Sequence, residues 1–562
     1  MTGRVVAIHN DTNASAALFL DGELVFAAAE ERFSRQRVQP GRPTRTLAAI
    51  AERYPAPEGE GEAVIGNQVH FLPQIPLPLL PNDDHDFFTP LFKAYLGYQE
   101  LIAHVPQARA AAVRLHRALL ARSTPNLVHV ADHHTAHAYS AYMTSGFDEA
   151  VAITSDGFGD GASAKVFRCG AGRCTELYGS SALASPGLFY GEVALVLGLR
   201  PSQAGKVTGL AAQGDPSPGY AAMTELFSLA KDGRSFVAPP LSARRRDRGP
   251  YAALRAMRPA DVAAAAQQRL EDVMLGFVER ALDETGATRV ALAGGTFANV
   301  RLNQRIAALP RVERVFVHPA MSDQGIAVGA GYEHLSRTRG LRPSRMRTAF
   351  LGPDYTEDDC VAAVERAGLR YRRERDIDAT TAALLADGHV VARFAGRLEY
   401  GPRALGHRSI LYRGDDASVN DWLNRKLRRT EYMPFAPVTL TEAAEACYGD
   451  LSGILDCVRF MTIAVPCTDA MRRESPGVVH VDGTARPQVI SEEDEPRYYR
   501  LLRLYREKTG KASLINTSFN MHDEPIVCSP DDACRALVDA GLPYLALEHL
   551  LVLGPDARWP DP

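Results

Sequence analysis

VAITSDGFGDGASAKVFR, residues 151–168, is the stretch whose reading decides the fold. Residues 151–154 are an apolar run of strand composition. Residues 156–161 follow as an acidic, glycine-rich turn, and 163–168 read as the returning strand. A third strand is expected at 174–178, beyond Gly170-Ala171-Gly172. The same grammar opens the chain. Residues 4–9 form a strand and 10–13 a polar turn, and the strands 16–20 and 24–28 flank Asp21-Gly22, a favoured two-residue hairpin turn. A unit of strand, acidic or amide turn and hairpin, used twice, predicts two stacked α/β halves with a cleft between them. Turns rich in Asp, Asn and Gly at strand ends suit phosphate and metal contact.

The remainder extends this α/β pattern. Residues 259–284 read as a long helix, and 289–293 as a strand running into Gly294-Gly295. A helix starts at 325–335, a boundary falls at 336–352, and a second α/β pattern follows, with helices at 356–368 and 380–387 and a strand at 389–394. The proline-broken segment 71–90 reads as a surface loop packed on its aromatics, with a lid over a ligand pocket as the alternative. A chain of 562 residues holds more than one domain. A net charge of −4 offers no basic field to nucleic acid or an anionic membrane. The eight cysteines form no CxxC pair and no disulfide framework is expected. No apolar run reaches membrane-spanning length, the N-terminus reads as a core strand, and the cytoplasm is the expected location.

Chemistry concentrates in two places. His133 and His137, four residues apart, stack on one face if the segment is helical. With Asp156 and Asp323, each at a strand-to-glycine junction, they make a divalent-metal set. Mixed nitrogen and oxygen donors suit iron, taken first, or zinc or manganese. His134 points to another face and reads as supporting or structural. Gly294 and Gly295 permit close approach of a ligand to the backbone, with Asn299 and Asn303 within reach of a ribose or base, although helix packing explains the glycines equally well. Lys206, after Gly205, reads as a phosphate contact or an ordinary surface lysine. Residues 396–409 carry Arg397, Arg403, Arg408 and His407 among three glycines. Lys426, Arg428 and Arg429 add charge, Arg486 follows, and Asn516, Ser518 and Asn520 form a polar cluster after a strand. Cations this dense are expected to surround an anion.

The motifs HisHisThrAlaHisAla (133–138), AspGlyPheGly (156–159), GlyLysValThrGlyLeuAla (205–211), SerAspGlnGly (322–325), GlyProArgAlaLeuGlyHisArgSer (401–409), MetProPheAlaPro (433–437) and AsnThrSerPheAsn (516–520) resemble, in that order, the NodU/CmcH carbamoyltransferase family. The resemblance implies a duplicated actin-like ATPase (TsaD-like) domain over 1–345 and a YrdC-like α/β domain over 346–562. It implies that the second domain makes carbamoyl adenylate from carbamoyl phosphate and ATP, with magnesium accompanying the nucleotide. The adenylate then passes inside the protein to the first domain, where a metal helps hold it while an alcohol attacks. Carried over by motif, His133, His137, Asp156 and Asp323 bind the metal. Arg403, Arg429, Arg486, Asn516 and Asn520 belong to the adenylation site, with Lys426 and Ser518 beside them. Arg37 matches a nucleotide-contacting position after GluGluArgPheSerArg. The family's first turn often carries a histidine, in HisAspAlaSer or ThrHisAsnAlaSer. This chain has Asp11-Thr12-Asn13-Ala14-Ser15, so Asp11 serves as the base, or Asn10 and Asp11 orient the acceptor. The expected activity is O-carbamoylation of a small-molecule alcohol in antibiotic tailoring, with no nucleic-acid or membrane partner and a homodimer left open. The alternatives are a tRNA-modifying threonylcarbamoyl-type transferase, an inactive nucleotide-binding relative, and a sugar-kinase-like phosphotransferase.

Overall fold

The computed structural model describes residues 3–57, 60–68, 88–428 and 435–560. The chain divides into two compact units, Met1–Glu30 with Val38–Met346, and Glu31–Arg37 with Arg347–Pro562.

The first unit contains two five-stranded sheets of one topology. In the first, Val5–His9 pairs antiparallel with Ser15–Leu20, which pairs antiparallel with Glu23–Ala29. On its other side Val5–His9 runs parallel to Glu62–Gly66, and that strand to Leu127–Ala131. In the second, Glu149–Gly159, Ala162–Gly170 and Arg173–Ser181 form the antiparallel meander, and Arg289–Ala293 and Arg314–Val317 continue in parallel. The repeated unit expected from residues 4–28 and 151–178 is therefore present. Asp21 and Gly22 take φ of 51° and 92°, the left-handed pair that a two-residue hairpin requires.

Between the sheets run two helices, His133–Ser145 against the second sheet and Ile326–Arg339 against the first. A helix sandwiched in this way is buried on all sides, and every residue of His133–Ser145 except Thr135 is buried. The helices cross at Gly329, where a Cβ would lie 1.7 Å from the Ala136 carbonyl oxygen.

One expectation needs correction. Residues 156–161 are not a turn. The strand continues to Gly159, its register slips between Ser155 and Gly159, and the chain reverses at Asp160-Gly161 with φ of 50° and 88°. Asp156, Gly157 and Phe158 bulge from the ladder, which re-aims the Asp156 side chain without ending the strand. Most of the 71–90 loop lies outside the described residues. From Pro90 to His104 the chain is helical, with Thr89 as its N-cap.

The second unit is built on an eight-stranded mixed sheet. Its central strands Val391–Phe394, Arg408–Arg413, Ser513–Ser518 and Ala436–Leu440 bury Val391, Leu411, Leu514 and Val438 under the helices Ile377–Ala386 and Pro496–Thr509. The short helix Glu31–Ser34 belongs to this unit. Phe33 packs on Leu398, Ala404 and Ile526, and Arg35 donates to the carbonyls of Pro525 and Ile526 at 2.7 Å each. All eight cysteines are free. Among the described residues no helix is long and apolar enough to cross a membrane.

Candidate metal centre and the Arg403 loop

Asp132 starts the His133–Ser145 helix by accepting from the Thr135 N–H at 3.0 Å. Arg109 and Lys165 hold its carboxylate at 3.0 and 3.1 Å. Burial opposes ionisation of Asp132, but Lys165 prevails and holds the carboxyl well below the usual range. The first turn then projects His133 and His137 from one face, as their spacing predicts. Asp156 arrives from the bulge and Asp323 from the segment after Arg314–Val317.

The four ligand atoms lie within 4.8 Å of one another. His133 Nε2 stands 3.9 Å from Asp156 Oδ2 and 3.8 Å from Asp323 Oδ1. His137 Nε2 stands 3.2 and 3.5 Å from the same two oxygens. Cis ligands about 2.1 Å from a shared divalent ion stand roughly 3.0–3.4 Å apart, so the spacing is that of a slightly expanded coordination shell. His133 Nε2 and Asp323 Oδ1 are buried and make no hydrogen bond. Two imidazoles, two carboxylates and two orphaned inward-facing atoms fit a divalent cation. The electrostatics agree. Burial works against ionisation of Asp156, yet the His133 and His137 imidazoles beside it hold it well below the usual carboxylate range. Burial and then the neighbouring Asp156 charge push Asp323 well above it. Two carboxylates this close cannot both ionise comfortably without positive charge between them.

The surrounding residues fix this arrangement. His133 Nδ1 meets Asn67 Oδ1 at 2.8 Å, and the His133 N–H donates to Asp160 Oδ2 at 2.8 Å. Thr12 donates its hydroxyl to Asp323 Oδ2 at 3.1 Å. Asp11, in the same turn, accepts from the Thr12 N–H at 2.8 Å and from Asn67 Nδ2 at 3.0 Å. His134 faces away, onto Thr154 Oγ1 and the Ala162 carbonyl. The sequence reading missed Asn67, Thr12 and Asp160. Only an amide placed directly after an apolar run, Ala63 to Gly66, could have drawn attention to Asn67.

The remaining expected residues are distributed as follows. Gly294, at φ 106°, lies where a Cβ would strike the Ser155 carbonyl oxygen at 2.1 Å, and a Cβ on Gly295 would sit 2.9 Å from Asp156 Oδ1. Both glycines therefore let the loop pass the strand bulge that carries Asp156. Asn299 caps the helix Val300–Ala307 through the Leu302 N–H and donates to Gln267. Asn303 donates to the Phe297 carbonyl. Lys206 lies in the first turn of Gly205–Ala211.

In the second unit two of the cations of 396–409 turn to backbone oxygens. Arg397 donates to the carbonyls of Leu351 and Gly352, and Arg408 to those of Ala395 and Gly396 while stacking 3.5 Å over Phe394. Backbone oxygens absorb both charges, which corrects the expectation drawn from charge density. Arg403 is partly buried on the loop between Gly401 and Gly406, and desolvation pulls its pKa down to about 10. That loop is pinned by Glu399, whose Oε1 accepts from the N–H groups of Leu405, His407 and Arg408 at 2.9, 2.9 and 3.0 Å. Gln488 donates to the Leu405 carbonyl at 2.7 Å, and Asn516 donates to Gln488 at 2.7 Å. Asn516 is thus joined to the Arg403 loop. Ser518 ends the same strand, opposite Ser409, and Asn520 donates to the carbonyls of Met521 and Glu524. Arg486 follows the strand Thr484–Ala485, two residues before Gln488. Lys426 is exposed and donates to the Gly541 carbonyl, and Arg37 is half-exposed beside Asp523 at 3.9 Å. Arg429 lies outside the described residues.

Comparison with known proteins gives matches across both units. The Carbamoyltransferase N-terminus family matches residues 95–332, and the Carbamoyltransferase C-terminus family residues 382–553. Nodulation protein NolO of Bradyrhizobium diazoefficiens is 32% identical over 75% of this chain and 78% of that protein. Nodulation protein NolNO of Sinorhizobium fredii is 33% identical over 75% of this chain and 64% of that protein. An uncharacterised Synechocystis protein is 28% identical over 98% of this chain and 96% of its own length.

Proposed function

Because the chain belongs to the carbamoyltransferase family, we propose that it is an ATP-dependent O-carbamoyltransferase of a small-molecule alcohol, a natural product of the antibiotic class. The unit of Glu31–Arg37 with Arg347–Pro562, YrdC-like in this reading, takes carbamoyl phosphate, one water and ATP with magnesium: water cleaves carbamoyl phosphate to carbamate and phosphate, and the carbamate oxygen attacks the ATP α-phosphorus, giving carbamoyl adenylate and pyrophosphate. The unit of Met1–Glu30 with Val38–Met346 delivers the carbamoyl group. The shared strand order of its two five-stranded sheets supports an actin-like duplication. The observation that carries the proposal is the convergence of His133, His137, Asp156 and Asp323 in a chain matched by both carbamoyltransferase families.

In this reading the acceptor oxygen attacks the carbamoyl carbon, the bond to the adenylate oxygen breaks, and AMP leaves. A divalent ion, iron first and zinc or manganese otherwise, supplies Lewis-acid charge to the labile anhydride when bound. His133, His137, Asp156 and Asp323 hold it. Asp11 accepts the acceptor's proton or orients the alcohol, with Asn10 beside it. Gly294 and Gly295 keep the loop beside Asp156 close to the backbone, and Asn299 and Lys206 are candidates for nucleotide contact. In the adenylating unit the partly buried Arg403 offers its charge to an anionic oxygen, with Arg486, Asn516, Ser518, Asn520, Arg37, Lys426 and Arg429 as further contacts. Incubation with carbamoyl phosphate, ATP and magnesium is expected to release pyrophosphate, and to release AMP once an acceptor alcohol is present. Absence of pyrophosphate across metal and pH conditions removes the adenylation step from the proposal.

A further inference from the structure

Asn67 has no place in the activity described so far. It follows the strand Glu62–Gly66, is 4% exposed, and takes φ of 87°. Backbone in that region is rare for a residue with a Cβ, and asparagine is among the few side chains that tolerate it. Strain kept at a buried position points to a task for the side chain.

The two ends of the amide meet groups of opposite need. One end lies 3.0 Å from the Asp11 carboxylate, which only accepts, so this end is the NH2 group. The other end must then be the oxygen, 2.8 Å from His133 Nδ1. An oxygen there requires the His133 proton on Nδ1. The lone pair is left on Nε2, the atom that faces Asp156 and Asp323 and makes no hydrogen bond. Gly159 lies against the imidazole, since a Cβ there would come within 2.2 Å of His133 Cγ, so the ring cannot turn to offer its other nitrogen cheaply. Asp11 orients Asn67, and Asn67 orients His133.

We infer that Asn67 is a positioning residue which fixes the ligating tautomer of His133 and ties the Asp11 turn to the metal centre. This rests on the metal-centre reading above. Loss of an outer partner of a ligating histidine typically weakens metal binding about 10- to 100-fold.

The test uses the full chain and Co2+ alone, with affinity from calorimetry and the ligand field from the visible spectrum. Asn67→Gly removes the amide yet adopts the positive φ without strain. Its Co2+ Kd is expected to rise about 10- to 100-fold with an altered visible band. The double variant Asp11→Asn/Asn67→Asp exchanges the two groups, so that the amide at 11 donates to the carboxylate at 67, whose other oxygen still accepts from His133 Nδ1, and aspartate tolerates the same backbone. It is expected to return the Kd to within about threefold of the parent. Thermal unfolding of the metal-free variants serves as the folding control. Unchanged Co2+ binding in Asn67→Gly overturns the inference, as does equal weakening in both variants, which would show that the oxygen acceptor is immaterial. A parent chain that takes up neither Co2+ nor Fe2+ overturns the metal-centre reading itself, and the role of Asn67 with it.

Discussion

Thr12 gives its hydroxyl hydrogen to Asp323 Oδ2 at 3.1 Å, and the same turn carries Asp11. The turn that would face an acceptor is therefore fastened to a candidate metal ligand. Thr12 spends its hydroxyl on Asp323. Asp11 is the adjacent carboxylate able to take a proton. Asp11→Asn preserves shape and removes that ability, so carbamoyl transfer should fall about 10²- to 10⁴-fold, the usual contribution of a general base. Pyrophosphate release should stay within about twofold, because Asp11 and the Arg403 loop belong to separate units. Transfer at the parent rate would leave Asp11 only an orienting role.

Much of this centre can be read from the chain because local geometry dictates it. His133 and His137 share a face by helical pitch alone, and Asp21-Gly22 announces its hairpin through the φ values that only such pairs adopt readily. Asp156 and Asp323 were visible as acids at strand ends. The bulge was hidden, because Asp156-Gly157-Phe158-Gly159 has the composition of a turn while its neighbours keep the ladder going. Charge density misled at Arg397 and Arg408, whose partners are backbone oxygens brought near only by folding. Asn67 meets Asp11 and His133 through tertiary contacts alone, so no local pattern marks it.

His137→Ala separates the two half-reactions. Its Nε2 is 3.2 Å from Asp156 Oδ2 and 3.5 Å from Asp323 Oδ1, so truncation removes one of the four candidate ligand atoms. Metal content measured by elemental analysis should drop to near background and carbamoyl transfer with it, while pyrophosphate release persists. Equal loss of both steps would contradict the assignment of adenylation to the other unit.

Glu399 should matter to the proposed adenylation without touching a substrate. Its Oε1 gathers three backbone N–H groups of the loop that carries Arg403. Glu399→Ala strands these buried donors at about 1–3 kcal/mol for each one left unsatisfied. Glu399→Gln keeps an oxygen in place and should lose far less. Urea unfolding should rank parent, Gln and Ala in that order, and pyrophosphate release should follow the same rank. An alanine variant as stable as the parent would mean that the loop holds its shape by other means.

The last prediction concerns acid. His9 and His318 are buried and neutral. Burial draws their pKa values from 6.5 down to about 4 and about 3, with Asp11 opposing the shift at His9 and His137 adding to it at His318. Their neutral rings sit on the Thr12 carbonyl at 2.9 Å and beside Thr144 Oγ1 at 3.0 Å. The unfolded chain protonates both below about pH 6.5, whereas the folded chain does not until the lower values are reached. Their contribution is therefore complete above pH 6.5 and is lost as the pH falls toward 4 and then 3. Each amounts to about 3 kcal/mol or somewhat more at full loss. Urea midpoints taken with chelator present, so that metal release does not contribute, should decline steadily from pH 7 to pH 4.5. The decline should be shallower in His318→Asn, which has no ring to protonate in the unfolded chain. A midpoint in His318→Asn that tracks the parent at every pH would show that this histidine does not drive the loss.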